Sequence, residues 1–181
     1  MGTIREQILT ASTLASGTIR ELLANPNTGT GGGGIGADDA TNYAEQKVIE
    51  LLFMNKDFIL IGDQGGLRGS EIAGNIYVAL LTGDPGEEGS LLVEAAYQGY
   101  TRVPIVRTEV GWEYKDGGAK NIPILTWPPN EGADVDISHI SIMDSLIGGN
   151  MLFKKELPAP VTIVTGNQAQ FNYNQLTVKM T

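Results

Sequence analysis

Nine short apolar or alternating runs, separated by glycine, asparagine and proline, constrain the fold of this chain more than any other feature. They begin at Phe58 and have the length of β-strands. The links between them are too short for crossover helices, so we predict antiparallel pairing and an antiparallel β-sandwich. The predicted strands are Phe58 to Ile61, Asn75 to Leu81, Tyr100 to Val106, Trp112 to Lys115, Ile122 to Trp127, Val135 to Met143, Met151 to Glu156, Val161 to Val164 and Ala169 to Met180.

Two features modify the later strands. In the last run the apolar phase slips, because Phe171 and Tyr173 share a parity that Leu176 and Val178 do not. We predict a β-bulge near Asn174-Gln175 that restores one apolar face, with Asn174 in the left-handed conformation. Prolines at positions 123, 128 and 129 lack amide donors, which predicts an edge strand that ends in a rigid loop.

One helix is predicted immediately before the strands. Asn42 with Glu45 has the capping-box pattern, and apolar residues follow at helical spacing until Asn55. The spacing places Ala44, Val48, Leu51 and Leu52 on the apolar face. The chain from the helix onward is therefore expected to be a mainly β domain preceded by one α-helix.

The first residues carry an internal repeat. The word Gly-Thr-Ile-Arg-Glu occurs at residues 2–6 and again at 17–21, and each copy contains a capping box, Thr3 with Glu6 and Thr18 with Glu21. Two short helices are predicted, neither long enough to be stable alone in water. Such a segment needs a surface to lie against, which makes its apolar side chains candidates for partner binding: Ile4, Ile8, Ile19, Leu22 and Leu23.

A glycine run divides the chain. Six of the eight residues from Gly29 to Gly36 are glycine, a composition typical of flexible linkers. Gly29, Gly31 and Gly34 satisfy the spacing of a dinucleotide-binding motif, but no strand precedes them to build the phosphate site. We predict a helical docking arm at 1–27, a linker at 28–40 and a helix-plus-sandwich domain at 41–181.

Charge and composition restrict the partners. The formal net charge of −9 opposes binding to nucleic acid. The chain has no cysteine, so disulfides, thiolate metal sites and cysteine nucleophiles are excluded. No apolar run has the length of a membrane span and the first residues lack a signal-peptide pattern, so we expect no membrane partner. We expect the chain to be cytosolic at synthesis, or to reach the exterior as part of an assembly.

A few residues invite a chemical interpretation. His139 lies near Asp134 and Asp136 in sequence, but in an unbroken strand the carboxylates would not converge with the imidazole on a metal ion. By the same alternation, Ser138 and His139 are expected on opposite faces, which excludes a nucleophile–base pair. We predict an ordinary strand histidine here and no metal site.

The acidic pairs Asp38-Asp39 and Glu87-Glu88 are interpreted as cap or loop acids rather than as glycosidase carboxylates or Ca²⁺ ligands. Asp84 is interpreted as a turn former and Arg102 as a packing or salt-bridge residue, with an interface role as the alternative. Four aromatic residues are expected in the core or on a sheet face rather than on a sugar-stacking platform: Tyr97, Tyr100, Trp112 and Trp127.

Several ordered motifs resemble one family. They are Asn75-Ile-Tyr-Val-Ala-Leu-Leu-Thr-Gly-Asp-Pro85, Gly99-Tyr-Thr-Arg-Val103, Ile124-Leu-Thr-Trp-Pro128, His139-Ile-Ser-Ile-Met-Asp144 with Gly148-Gly-Asn-Met-Leu-Phe153, and Phe171-Asn-Tyr-Asn-Gln-Leu-Thr-Val178. This ordered set is similar to small structural proteins of tailed bacteriophages, labelled tail fibre, minor tail or head-decoration proteins. The resemblance covers about residues 44 to 180 and implies a compact β-sandwich in the virion. In the last motif Asn174 stands where the family commonly has glycine.

From these observations we expect a non-catalytic structural component of a tailed-phage virion, assembled in the host cytoplasm and without a cofactor. The leading expectation is a capsid decoration protein that binds capsid subunits. The alternative is a tail or tail-fibre protein, with host-surface carbohydrate as a possible ligand. Other virion proteins, major capsid or tail subunits, are the expected partners, and a homo-oligomer such as a trimer is expected rather than a monomer.

Overall fold

The computed structural model describes residues 40–62 and 64–180. The predicted helical arm at 1–27 and most of the linker at 28–40 lie outside the described residues. So do the candidate partner-binding residues Ile4, Ile8, Ile19, Leu22 and Leu23, and the acidic pair Asp38-Asp39. The described residues from Thr41 to Met180 form one compact unit.

Helix α1 spans Asn42–Met54, as the sequence indicates. Its N-cap is Thr41 rather than Asn42, because the Thr41 hydroxyl accepts a hydrogen bond from the amide of Ala44 at 3.4 Å. Asn55 ends the helix in the left-handed conformation with φ 57°.

The buried face of α1 differs from the predicted one. Ile49, Glu50, Phe53 and Met54 are buried, whereas Leu52 is exposed. The helix packs against β3 and β4, and the Phe53 ring meets Trp112 edge-on with centroids 4.8 Å apart. Contact with these strands selects a face that helical spacing alone did not identify.

In the part of the chain that the structure describes, nine strands follow, all paired antiparallel, in three sheets of order β2-β1-β6-β7, β3-β4-β9 and β5-β8. The prediction of a mainly β fold with antiparallel sheets and a preceding helix is confirmed. The strands are β1 Asn75–Leu81, β2 Val103–Val106, β3 Trp112–Lys115, β4 Gly118–Asn121, β5 Leu125–Thr126, β6 Val135–Met143, β7 Met151–Ile163, β8 Gln170–Phe171 and β9 Thr177–Val178, with a short 3-10 helix at Leu91–Val93.

Several predicted strands were wrong in extent. The run at Phe58 makes only an isolated bridge to Leu67, and β4 was not predicted. The two runs predicted after Met151 form one long strand, β7, in which Leu157 to Pro160 has no partner in the β6 register.

The predicted bulge near Asn174 is a turn. Asn174 does adopt the left-handed conformation, with φ 59°. The chain turns there and divides the predicted last strand between two sheets, since β8 pairs with β5 and β9 pairs with β4. Both halves thereby present apolar residues to one core.

The core lies among α1 and the sheets. Trp112 and Trp127 are fully buried, Tyr97 is buried and Tyr100 is partly buried against them, so the expectation of core aromatics is confirmed. Burial of a large apolar side chain contributes about 1.5–3 kcal/mol. Among the described residues, no helix is both long and apolar enough to span a bilayer.

Candidate functional site

A nearly solvent-free ion pair lies beside the start of β2. The guanidinium of Arg102 donates from Nε and Nη2 to the two carboxylate oxygens of Glu94 at 2.7 and 2.6 Å. Arg102 is 3% exposed and the Glu94 side chain 16%. A bidentate pair of this geometry satisfies both charged groups away from water.

The same arginine supports a second loop. Its Nη1 donates to the carbonyl oxygens of Ser145 and Gly148 at 2.6 and 2.7 Å. Hydrogen bonding to Glu94 raises the pKa of Arg102, so the charge persists at every pH at which the fold persists. One buried cation therefore joins the chain before β2, the segment after the 3-10 helix and the loop after β6.

Tyr100 connects this arrangement to the sheet. Its hydroxyl donates to Glu94 Oε1 at 3.0 Å and accepts from the amide of Leu80 in β1 at 3.1 Å. Burial raises the pKa of the Tyr100 phenol above its ordinary value, so the hydroxyl keeps its proton and remains a donor. Glu94 is thus held by two donors, Arg102 and Tyr100, the second of which is anchored to the central strand β1.

The loop after β6 has its own internal support. The carboxylate of Asp144 accepts hydrogen bonds from the backbone and side-chain amides of Asn150, both at 2.7 Å. Gly149 has φ 73°, and a Cβ at that position would collide with Asp144 Oδ1. Ile147 is therefore presented by a closed loop.

We expect the loop at residues 145–149 to keep its closed conformation in moderate acid. Hydrogen bonds from Asn150 lower the pKa of Asp144. A depressed folded-state pKa contributes stability that is fully present above the unfolded value of about 3.9 and is lost as the pH falls through the lower folded value. The protection factors of the amides of residues 145–149, which correct for the intrinsic exchange rate at each pH, should be unchanged between pH 7 and 5, whereas Asp144→Ala should lower them at both. Equal exchange in the parent and the variant would contradict the predicted role.

Four large apolar side chains stand on these two supported segments. Leu91, Leu146 and Ile147 line a concavity of about 500 Å³ whose wall includes Tyr100 and Arg102. Single exposed apolar residues are ordinary, but several together mark an interaction surface. We call this set the apolar tip, with exposed fractions of 37% for Leu91, 96% for Leu92, 43% for Leu146 and 84% for Ile147.

Acidic residues precede the apolar tip in the same loop. Asp84 accepts from the amide of Gly86 at 2.9 Å, so it forms the predicted turn. Lys154 lies 3.0 Å from both Asp84 and Glu87, and the Glu87 side chain is 93% exposed. Glu87 is thus an exposed loop acid beside one shared lysine.

The expectation for Ser138 and His139 was wrong in geometry. The Ser138 hydroxyl lies 2.9 Å from His139 Nδ1, because β6 is irregular between Ile137 and His139 and strict alternation is broken there. Among the described residues, no acid hydrogen-bonds the imidazole. Asp134 and Asp136 instead accept from Thr165 and Thr162.

The remaining sequence candidates do not converge. Within residues 40–62 and 64–180, no group of three or more histidine, aspartate and glutamate side chains is arranged to hold a metal ion. The predicted salt-bridge role of Arg102 is confirmed, and the structure adds the loop after β6 to its contacts.

Comparison with known proteins identifies the family. Residues 65–179 match the model of the family described as "Podophage GP4 fiber I protein gp80". The chain belongs to this family. The resemblance to tailed-phage structural proteins is confirmed, and the matched region of this fibre family contains the whole apolar tip and its supporting ion pair. No curated protein matches the chain.

Sequence reasoning missed the apolar tip of this fibre-family protein. Leu91-Leu92 and Leu146-Ile147 are apolar pairs inside segments rich in glycine, serine and acidic residues, a pattern that indicates exposed loops. That pattern could have identified each pair as exposed. It could not have shown that the two pairs, with 53 positions between them in the sequence, are brought together by one arginine.

Proposed function

We propose that this protein is a non-catalytic structural component of a tailed-phage fibre and that it binds a neighbouring virion protein through the apolar tip. The main support is the construction of the tip: four apolar side chains are held on two segments joined by the buried Arg102. A surface whose support is rigid before binding loses little conformational entropy on association.

The family description favours a fibre over a capsid location. The leading expectation from the sequence was capsid decoration, with a tail or tail-fibre role as the alternative. The matched family is named for a fibre protein. We therefore propose the fibre role and keep capsid subunits as the less favoured partner.

The chemistry of the tip fits protein contact better than catalysis or sugar binding. Glu94 and Arg102 neutralise each other, and Tyr100 is engaged by both Glu94 and Leu80. Leu92 and Ile147 are aliphatic side chains in the exposed positions where sugar-binding sites place flat aromatic rings. An aliphatic centre with acidic neighbours suits a partner with apolar residues and basic flanks.

Three further expectations complete the proposal. The N-terminal arm, with Ile4, Ile8, Ile19, Leu22 and Leu23, docks on another virion protein. The protein acts as a homo-oligomer. It assembles into the particle in the host cytoplasm. The first of these is tested by deleting residues 1–36 and measuring incorporation into particles.

The apolar tip is tested by placing charge at its two most exposed positions. The double variant Leu92→Asp and Ile147→Asp should reduce incorporation into particles by about 100-fold or more, because each lost side-chain burial is worth about 1.5–3 kcal/mol. Quantitative immunoblotting of purified particles measures this effect. Complementation of a phage lacking the gene supplies the variants.

A matched control is available in the same domain. Ile72 is 84% exposed, the same fraction as Ile147, and does not line the tip. Ile72→Asp should leave incorporation near the parental level. Wild-type incorporation of the folded double variant would refute the proposed role of the tip.

A further inference from the structure

A second concave surface lies away from the apolar tip, between β7 and β8. This groove has a volume of about 470 Å³. Its floor consists of buried aliphatic side chains, including Leu80, Ile137 and Ile163. Leu157 and Val161 of β7 form one wall. No charged side chain lines it, although the domain around it is acidic.

The other wall is the edge of a strand. Four successive residues, Gln168 to Phe171, all line the groove. Of these, Gln170 and Phe171 form β8, whose successive side chains point to opposite faces, so a groove lined by both runs along the edge of this strand. Within the described residues, β8 is paired on one side alone, with β5.

The register with β5 shows which backbone groups face the groove. The amide of Trp127 donates to the carbonyl of Ala169 at 3.1 Å, so that pair is hydrogen-bonded. Antiparallel pairs alternate, so Thr126 and Gln170 form a non-hydrogen-bonded pair. The backbone N–H and C=O of Gln170 therefore point away from β5, toward the groove.

The two walls differ in the backbone hydrogen-bonding groups that they present to a ligand. Gln170 presents a backbone donor and a backbone acceptor side by side, as pairing with an extended chain requires. The β7 wall carries Pro158 and Pro160, which have no N–H to donate. A strand that enters the groove can thus pair with β8 and place alternate side chains against the aliphatic floor.

We propose that this groove binds an uncharged, extended peptide segment of another protein chain, which pairs with β8 as an added strand. Backbone hydrogen bonds with Gln170 supply register, and the aliphatic floor accepts small branched side chains. The uncharged lining excludes a charged side chain at the centre, because its desolvation would have no compensating partner. The site is independent of the apolar tip and shares no lining residue with it.

The probe is a capped synthetic peptide of alternating valine and threonine, titrated against the full-length protein. We expect it to shift the backbone amide resonances of β8, that of Gln170 above all. A peptide with lysine in place of the central valine should bind at least about tenfold more weakly. Absence of any shift at these amides with the uncharged peptide would overturn the proposal.

Two substitutions at one position separate backbone pairing from side-chain recognition. Gln170→Pro removes the groove-facing N–H and spares the bonds to β5, so peptide affinity should fall by about tenfold. Gln170→Ala keeps that N–H and should leave affinity within about twofold. Loss of binding in the alanine variant, or binding of neutral oligosaccharides that this variant abolishes, would overturn strand addition.

A third variant lies outside β8, so its effect on peptide binding cannot arise from a folding defect in that strand. Val161 is 55% exposed on the opposite wall, so Val161→Glu should fold normally. It should weaken peptide binding about tenfold by placing a charge against the apolar segment. Unchanged affinity in this folded variant would contradict the location of the site.

Discussion

Replacing Arg102 with methionine should lower the free energy of unfolding by about 3–5 kcal/mol. Methionine retains much of the aliphatic volume and removes the charge. The change leaves the Glu94 carboxylate, whose side chain is 16% exposed, without its cation, and leaves the carbonyls of Ser145 and Gly148 without a donor. The cost of an unpaired buried charge exceeds the value of the ion pair itself.

Chemical denaturation measures this loss, and an exposed ion pair in the same protein supplies the control. Lys154 bridges Asp84 and Glu87 near the surface, so Lys154→Met should cost no more than about 1 kcal/mol. Adding Glu94→Gln to Arg102→Met should recover part of the loss, because the uncompensated charge is then gone. Equal losses of unfolding free energy in Arg102→Met and Lys154→Met would show that burial does not set the contribution of the Arg102 ion pair to stability.

The same variant connects stability to the proposed function. Without Arg102 the loop after β6 loses its tie to the chain before β2, while Leu92 and Ile147 are unchanged in sequence. We expect faster hydrogen exchange at 145–149 and reduced incorporation into particles at temperatures at which the variant remains folded. Unchanged hydrogen exchange in this loop would show that the ion pair does not support the apolar tip.

Replacing Asn121 with leucine should lower the free energy of unfolding by about 3–5 kcal/mol. Asn121 is fully buried at the end of β4. Its Nδ2 donates to the carbonyls of Pro123 and Asn172 at 2.8 and 2.9 Å, and its Oδ1 accepts from the amide of Leu176 at 2.9 Å. Leucine leaves the amide of the buried Leu176 and two partly buried carbonyl groups without these partners.

Asn75 is the matched control for this substitution. It lies exposed at the start of β1, so Asn75→Leu should change stability by no more than about 0.5 kcal/mol. The loss at Asn121 should be accompanied by faster amide exchange at residues 172–178, because Asn121 holds that turn against β4. A small and equal effect at both positions would show that the turn is stabilised by other contacts.

The strands that were predicted with the right bounds share one property. β1, β3 and β6 are each preceded directly by glycine or aspartate, and each is followed within two residues by glycine or aspartate. Those boundaries are local, because turn residues and strand residues differ in backbone preference. The helix was predicted for the same reason, although its N-cap is Thr41, one residue before the predicted Asn42.

The strands that were predicted wrongly depend on distant partners. The run at Phe58 has strand composition but only an isolated bridge with Leu67. The last run has continuous strand composition, yet Asn174 turns the chain so that its two halves join different sheets. Ser138 and His139 meet because β7 imposes an irregularity on β6. None of these outcomes is encoded within a window of a few residues.

The sequence by itself determined the class of fold, the antiparallel connection, the helix and the family, because periodicity, turn chemistry and ordered motifs are properties of neighbouring residues. The tertiary structure alone decided which side chains became a site. Glu94, Arg102 and the loop carrying Ile147 are separated by up to 53 positions and meet through one buried guanidinium. A buried charge must be satisfied wherever the fold places it, and only the folded chain specifies which carboxylate and which carbonyls are within its reach.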